Sequence, residues 1–175
     1  KKENLKAAIL QIASGGSTSL HNAIYLALKE LGKVQVFEDN EIRRQALVVF
    51  SDGEDTSSLI SFEELLDLSK RSETAVYTIS LRSSSKPRTR GFDEAEFLMR
   101  QLAQETGGQI FFANSVNDLV SLYAEIADEL SSQYTLGYIS KNPVHDGTWR
   151  NIVVQVNQKD MTPRTKRGYY AQEVN

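Results

Sequence analysis

Ala46-Leu47-Val48-Val49-Phe50-Ser51-Asp52-Gly53-Glu54-Asp55-Thr56 is the stretch on which the fold turns. A short run of apolar and β-branched residues ends abruptly in a carboxylate and a glycine. The near-continuous apolar character predicts a strand over 46–51 buried on both faces, as in parallel sheets covered by helices. Ligands of open α/β sheets bind just beyond the carboxyl ends of the strands, and Asp52 falls at that position. Gly53 lets the backbone turn away where a side chain could be strained. A buried strand followed by a polar loop with an N-capping Asp accounts for the same residues, so the neighbouring segments have to decide.

Upstream, Leu5, Ala8, Ile9 and Ile12 recur at i, i+3, i+4 and i+7 and predict a one-sided helix closed by Ser14-Gly15-Gly16. Gly15-Gly16-Ser17-Thr18-Ser19-Leu20 then delivers the chain into a second helix. Its apolar stripe is Leu20, Ala23, Ile24, Ala27, Leu28 and Leu31, and Gly32 ends it. Residues 33–44 are polar and read as loop. Downstream, Ser61-Phe62-Glu63-Glu64 has capping-box spacing, with Ile60 and Leu65 placed to pack as a hydrophobic staple ahead of a helix to about Arg71. Residues 75–81 form a second buried strand rich in β-formers. A basic loop, 82–91, lies at its end. Asp93 and Glu96 open another helix with Leu98, Leu102 and Ala103 inward and Thr106-Gly107-Gly108 as its stop. A third strand at 109–113 follows, and Ser115 and Asp118 cap a long helix carrying Leu119, Leu122, Tyr123, Ile126 and Leu130. Alternating strands and helices give a parallel α/β sheet with right-handed crossovers.

The period then changes. Residues 134–140, 149–157 and 166–171 read as three strands, with turn signals at Asn142-Pro143 and Asp146-Gly147. The chain therefore divides into an α/β body, 1–132, and an antiparallel β extension, 133–175.

At 175 residues with 40% apolar and 25% charged residues, this is one domain of ordinary size, with or without a small appendage. No apolar run approaches the roughly 20 residues of a membrane helix, which argues against membrane insertion. The opening Lys1-Lys2-Glu3-Asn4 carries no signal-peptide pattern, which leaves the compartment open. Absence of cysteine excludes disulfides and thiolate metal sites. The net charge of −3 conceals an asymmetry: residues 133–175 hold six basic and three acidic side chains, and the rest holds 14 and 20. That tail could dock on the acidic body or face an anionic partner. Its cations are too sparse for a nucleic-acid footprint.

Candidate chemistry is sparse. Gly15-Gly16-Ser17-Thr18 lacks the Lys of a phosphate-binding loop, and no G-x-S-x-G elbow is present. His21 and His145 have no second His at metal-ligand spacing and read as capping or surface residues. Trp149, Tyr169 and Tyr170 read as packing under the extension. With no base, nucleophile or complete metal shell in view, an enzyme is not expected. Thr18 and Asp52 remain. Hydroxyl and carboxylate oxygens are what a hard cation such as Mg2+ takes, although Thr18 serves equally as an N-cap.

Taken together, Gly15-Gly16-Ser17-Thr18-Ser19-Leu20-His21-Asn22-Ala23-Ile24, the Ser51-Asp52-Gly53 strand end, Tyr77-Thr78-Ile79 and residues 102–108 resemble the von Willebrand factor A domain. Gln133-Tyr134-Thr135-Leu136-Gly137-Tyr138, Asp146-Gly147-Thr148-Trp149-Arg150 and Arg167-Gly168-Tyr169-Tyr170-Ala171 are similar to a bacterial subgroup with a β extension after that domain. The resemblance implies a Rossmann-like, doubly wound fold and a metal-ion-dependent adhesion site at the carboxyl edge of the sheet. It also implies a non-enzymatic protein-interaction or adhesion module, secreted, periplasmic or at the cell surface. Thr18 matches the family's Thr ligand and Asp52 its second Asp, with Ser17 and Asp55 as supporting or alternative ligands. The ion, Mg2+ or Mn2+, would keep a coordination position open for an acidic residue of a protein partner.

One departure stands out. The family's Asp-x-Ser-x-Ser motif is missing; Asp55-Thr56-Ser57-Ser58-Leu59 is the nearest string and fails at its last position. The chain is expected to begin after the strand that carries that motif, which leaves strand 46–51 as an apolar edge. Such an edge is an aggregation hazard. A second chain, a swapped copy or another piece of the parent polypeptide should cover it. A metal-free structural or assembly domain, binding through the extension or through loop 82–90 with Arg88 and Arg90, is the alternative function.

Overall fold

A computed structural model describes residues 2–13, 15–33, 37–38, 41–42, 44–52, 54–81 and 90–173. Helices α1 (Lys2–Leu10) and α2 (Leu20–Leu31) precede a small antiparallel pair, β1 (Phe37–Glu38) and β2 (Glu41–Ile42). That pair corrects the reading of 33–44 as loop alone. β3 (Gln45–Ser51), α3 (Phe62–Arg71), β4 (Thr74–Leu81), α4 (Arg90–Thr106), β5 (Ile110–Ala113) and α5 (Leu119–Ser131) follow. α4 starts before the expected opening at Asp93. The expected loop 82–91 lies outside the described residues, except for its last two backbone positions, which α4 takes up.

β3, β4 and β5 form one parallel sheet in that order, with Val48 opposite Tyr77 and Ile79 opposite Phe111. Successive strand residues point to opposite faces, and helices pack on both, although β3 itself is only partly buried and leaves Phe50 44% exposed, short of the burial on both faces its sequence predicts. Leu47, Val49, Val76, Ile110 and Phe112 pack with Leu20, Ile24 and Leu28 of α2, Leu65 of α3, and Met99 and Leu102 of α4. Ala46, Val48, Tyr77, Ile79, Phe111 and Ala113 pack with Leu119, Leu122 and Ile126 of α5. This is the doubly wound arrangement. Burying one Leu this completely contributes about 1.5–3 kcal/mol. β3 has β4 on one side and, among the described residues, no strand on the other. α1 forms, yet Leu5, Ile9 and Ile12 remain exposed, so its apolar stripe has no cover within the described chain.

Local signals act as the chemistry predicts. Ser61 Oγ accepts from the Glu64 N–H at 3.2 Å and Glu64 Oε2 accepts from the Ser61 N–H at 3.0 Å, while Ile60 packs against the cluster that holds Leu65. At the stop of α4, Gly107 takes φ +82°, and a Cβ on Gly108 would lie 2.0 Å from the Val76 carbonyl oxygen. No larger residue fits between α4 and β4 there.

The extension is smaller than the three-strand meander expected. Only β6 (Trp149–Asn151) and β7 (Gly168–Tyr170) pair, antiparallel. Residues 134–140 make no strand, and Tyr134 and Ile139 are 92% and 96% exposed. Arg150 ties down the turn that follows: its guanidinium donates to Ser140 Oγ and to the carbonyls of Asn142 and Val144.

The basic tail docks on the acidic body. Arg164 pairs with Glu129, Lys166 with Glu73 at 3.5 Å, and Arg167 with Glu105 at 3.3 Å. Lys166 Nζ also donates to the Ser72 carbonyl at 2.7 Å. Trp149 and Tyr170 meet edge-on at 5.0 Å, with Lys70 over the first ring and Arg71 over the second.

Candidate functional site

β3 delivers Asp52 to the carboxyl edge of the sheet, exposed, with Oδ1 accepting from the Glu54 N–H at 3.3 Å. The first turn of α2 meets the segment that follows Asp52. A helix leaves its first N–H groups without internal partners, and the N-cap Ser19 makes no side-chain cap bond. Asp55 supplies what is missing from 34 residues away: its Oδ2 accepts from the His21 N–H at 2.8 Å. Ser58 closes the corner, donating to Asp55 through its N–H at 2.9 Å and its hydroxyl at 2.5 Å and accepting from the Asn22 N–H at 3.1 Å. A carboxylate at this position also meets the positive end of the α2 dipole.

More bonds join the same two segments. Thr18 N–H donates to Thr56 Oγ1 at 2.9 Å, and the Thr18 carbonyl accepts from the N–H groups of Thr56 and Ser57 at 2.9 and 3.1 Å. The hydroxyls of Ser19 and Ser57 are 2.7 Å apart. Asn22 Oδ1 accepts from Leu59 and Ile60 N–H, both at 3.2 Å. His21 Nδ1 lies 3.3 Å from the Ile60 carbonyl and 3.8 Å from Asp55 Oδ2.

Burial pushes the Asp55 carboxyl up, but the Ser58 hydroxyl, the His21 and Ser58 N–H groups and the nearby His21 ring together outweigh it and bring the pKa down to about 2. Asp55 is thus a committed anion, held by three donors.

The structure brings Thr18 and Asp52 to the same edge and gives them different surroundings from Asp55. Both main-chain groups of Thr18 are used, yet among the described residues no hydrogen bond engages its hydroxyl, that of Ser17, or the second oxygen of Asp52. These are hard oxygen donors facing solvent, a set that suits Mg2+ or Mn2+ with waters completing the shell. Asp55, with both oxygens occupied, supports the loop. Among the described residues no group of three or more His, Cys, Asp or Glu side chains could hold a metal, so an ion here would rest on hydroxyls and one carboxylate. Arg88 and the Arg90 side chain lie outside the described residues. Sequence reasoning missed Asn22 and Ser58. Their only trace is a cluster of small polar residues in each of two segments far apart in the chain.

No curated protein matches the sequence. Among solved structures, the chain is similar to an uncharacterized membrane spanning protein from Vibrio fischeri, at 20% identity and a TM-score of 0.43. That likeness covers 74% of this chain and 66% of the other. The family model of the von Willebrand factor type A domain matches residues 1–125, which hold the whole parallel sheet and the edge just described. The chain belongs to the von Willebrand factor type A domain family.

Proposed function

We propose that this chain is a non-enzymatic interaction module that binds an acidic residue of a protein partner through Mg2+ or Mn2+ at the carboxyl edge of its sheet. The family is generally a protein-interaction family. One observation supports the finer reading: among the described residues no hydrogen bond engages the Thr18 and Ser17 hydroxyls or one Asp52 oxygen at that edge, while both Asp55 oxygens are engaged. Thr18 and Asp52 would hold the ion, with Ser17 as an alternative and Asp55 behind them. Bound there, the ion supplies an electrophilic position for the partner carboxylate. The remaining ligands would come from an Asp-x-Ser-x-Ser strand of another segment, seated on the edge of β3 that has no strand beside it among the described residues. Such a module would work outside the cytoplasm, secreted, periplasmic or on the cell surface. Among the described residues no helix is long and apolar enough to cross a membrane.

The test is a calorimetric titration with Mn2+ and Mg2+, with Asp52→Ala as control. Saturable binding lost in the variant supports the site. Partner binding that survives both EDTA and Asp52→Ala sinks it. A second reading, metal-free assembly through the extension, is favoured by the exposed Tyr134, Leu136, Tyr138 and Ile139.

A further inference from the structure

We propose that the groove between the C-terminal end of α3 and the outer edge of β7 takes an extended acidic peptide of a protein partner, which adds a strand beside β7 and sets a carboxylate on Arg71. The proposal uses neither the cation edge nor the exposed 134–139 segment. β7 pairs with β6 on one side and, among the described residues, with no strand on the other. The Ala171 N–H donates to the Thr148 carbonyl at 2.9 Å, and the Ile152 N–H to the Arg167 carbonyl at 2.8 Å. Hydrogen-bonded and non-hydrogen-bonded positions alternate along an antiparallel pair. Residues 167, 169 and 171 therefore spend their main-chain groups on the β6 side, and Gly168, Tyr170 and Gln172 turn theirs outward. Among the described residues no hydrogen bond meets the main-chain groups of those three from outside. Gly168 is buried, and a buried N–H or carbonyl without a partner costs free energy, so this edge gains from a strand that pairs with it. Extended peptides add to sheet edges through main-chain bonds of this kind.

A groove of about 390 Å3 lies along the same edge. Its wall includes every residue from Tyr169 to Glu173, although side chains alternate between faces, so the strand's backbone edge forms that wall. α3 and the residues after it supply the opposite wall with Lys70, Arg71 and Glu73. Lys70 is paired with Glu105, and Lys166 with Glu73. Arg71 differs. Its Nε donates to Asp67 at 2.9 Å and its guanidinium lies 3.9 Å from the Tyr170 ring centre, while its terminal nitrogens make no hydrogen bond among the described residues. A guanidinium held at one nitrogen and against a ring keeps its remaining N–H groups as a fork suited to a carboxylate. Glu173 is the chain's own competitor for that fork. It lies over Gly147, where an added Cβ would come 2.3 Å from Oε1, and among the described residues it makes no ion pair with Arg71.

The experiment selects peptides from a random octapeptide display library on the immobilised whole chain. Each selected peptide is then synthesised and titrated by calorimetry into wild type, Arg71→Gln, Gln172→Pro and Glu173→Gln, with Trp149 emission reporting that the extension stays docked. Gln172→Pro removes one outward N–H and leaves the bonds to β6 in place. The peptides should carry Asp or Glu, and Arg71→Gln and Gln172→Pro should each weaken them about 10-fold. Glu173→Gln should tighten them. Hydrogen exchange at Gly168 and Tyr170 should slow when peptide is bound to the wild type. A library that yields no binder overturns the proposal, as do binders that Gln172→Pro leaves at full affinity. Binders without a carboxylate, indifferent to Arg71→Gln, overturn the acidic partner. Should a substitution shift Trp149 emission, the wild type still decides: exchange at Gly168 and Tyr170 that bound peptide leaves unchanged overturns strand addition by itself.

Discussion

Asp55→Ala is the substitution for which the structure gives the fullest account. The carboxylate caps α2 through the His21 N–H and takes two bonds from Ser58, and its side chain is 14% exposed. Its pKa falls from 3.8 to about 2 on folding. Converted at the free energy of one pH unit, that fall corresponds to about 2 kcal/mol, and a lost cap alone typically costs about 1 kcal/mol, so a loss of about 2 kcal/mol at neutral pH is expected. The sign follows from linkage. A carboxyl with a depressed folded pKa contributes its full stability above its unfolded pKa, near 4, and loses it as pH falls through about 2. Urea unfolding of wild type and Asp55→Ala, followed by circular dichroism, should therefore show a gap that is widest at neutral pH and closes between about pH 4 and pH 2. Asp55→Asn keeps one acceptor without the charge and should fall between the two, its own stability lacking that acid transition. A gap of constant size across the range would refute the reasoning, since it would assign the loss to packing. Equal stability of variant and wild type at neutral pH would refute it too.

Further outcomes follow from other parts of the molecule. Gly107→Ala forces a side chain into φ +82° with its Cβ 2.8 Å from the Lys166 nitrogen; it should cost at least about 1 kcal/mol and shift the emission of Trp149, the single tryptophan, as the extension lifts. Tyr77→Phe deletes the hydroxyl that donates to Glu129 at 2.6 Å and should cost about 1 kcal/mol by thermal melting. In the wild type, burial and the Glu129 bond push the Tyr77 hydroxyl up to about 12, so an alkaline absorbance titration should show a late tyrosine transition that Tyr77→Phe abolishes.

Strand 46–51, the box at Ser61 and Glu64, and the stop at Gly107 and Gly108 were legible because each depends on residues close together in sequence: apolar runs, reciprocal caps, a turn no side chain fits. The extension was legible only in composition. Tyr134, Leu136 and Tyr138 alternate as a strand should, but pairing also needs a partner edge, and no local pattern encodes whether one is offered. The edge shows the same division. Asp52 was readable as the end of a buried strand and Thr18 as the residue after a Gly-Gly turn. Their connection through Asp55, Ser58 and Asn22 is a tertiary fact, made of single hydrogen bonds between segments more than thirty residues apart. Asp55 itself was read as a candidate ligand because sequence shows a carboxylate and not what already surrounds it.

The cation site and the anchor of the extension lie at opposite edges of one parallel sheet, and that separates those two readings. All three strands run the same way, so the end of β3 that carries Asp52 and the start of β4 that follows Ser72 lie at opposite edges. Lys166 binds the Ser72 carbonyl and packs over Gly107, where α4 turns into β5. The extension is therefore anchored at the amino edge, while Asp52 lies at the carboxyl edge. Perturbing the anchor at Gly107 should leave Mn2+ affinity unchanged, and removing Asp52 should leave the environment of Trp149 unchanged. If partner binding follows Asp52, the edge beyond β3 is the binding face; if it follows Gly107, the extension is. Loss of binding in both variants would mean that the partner spans the sheet from one edge to the other, and neither face would then suffice alone.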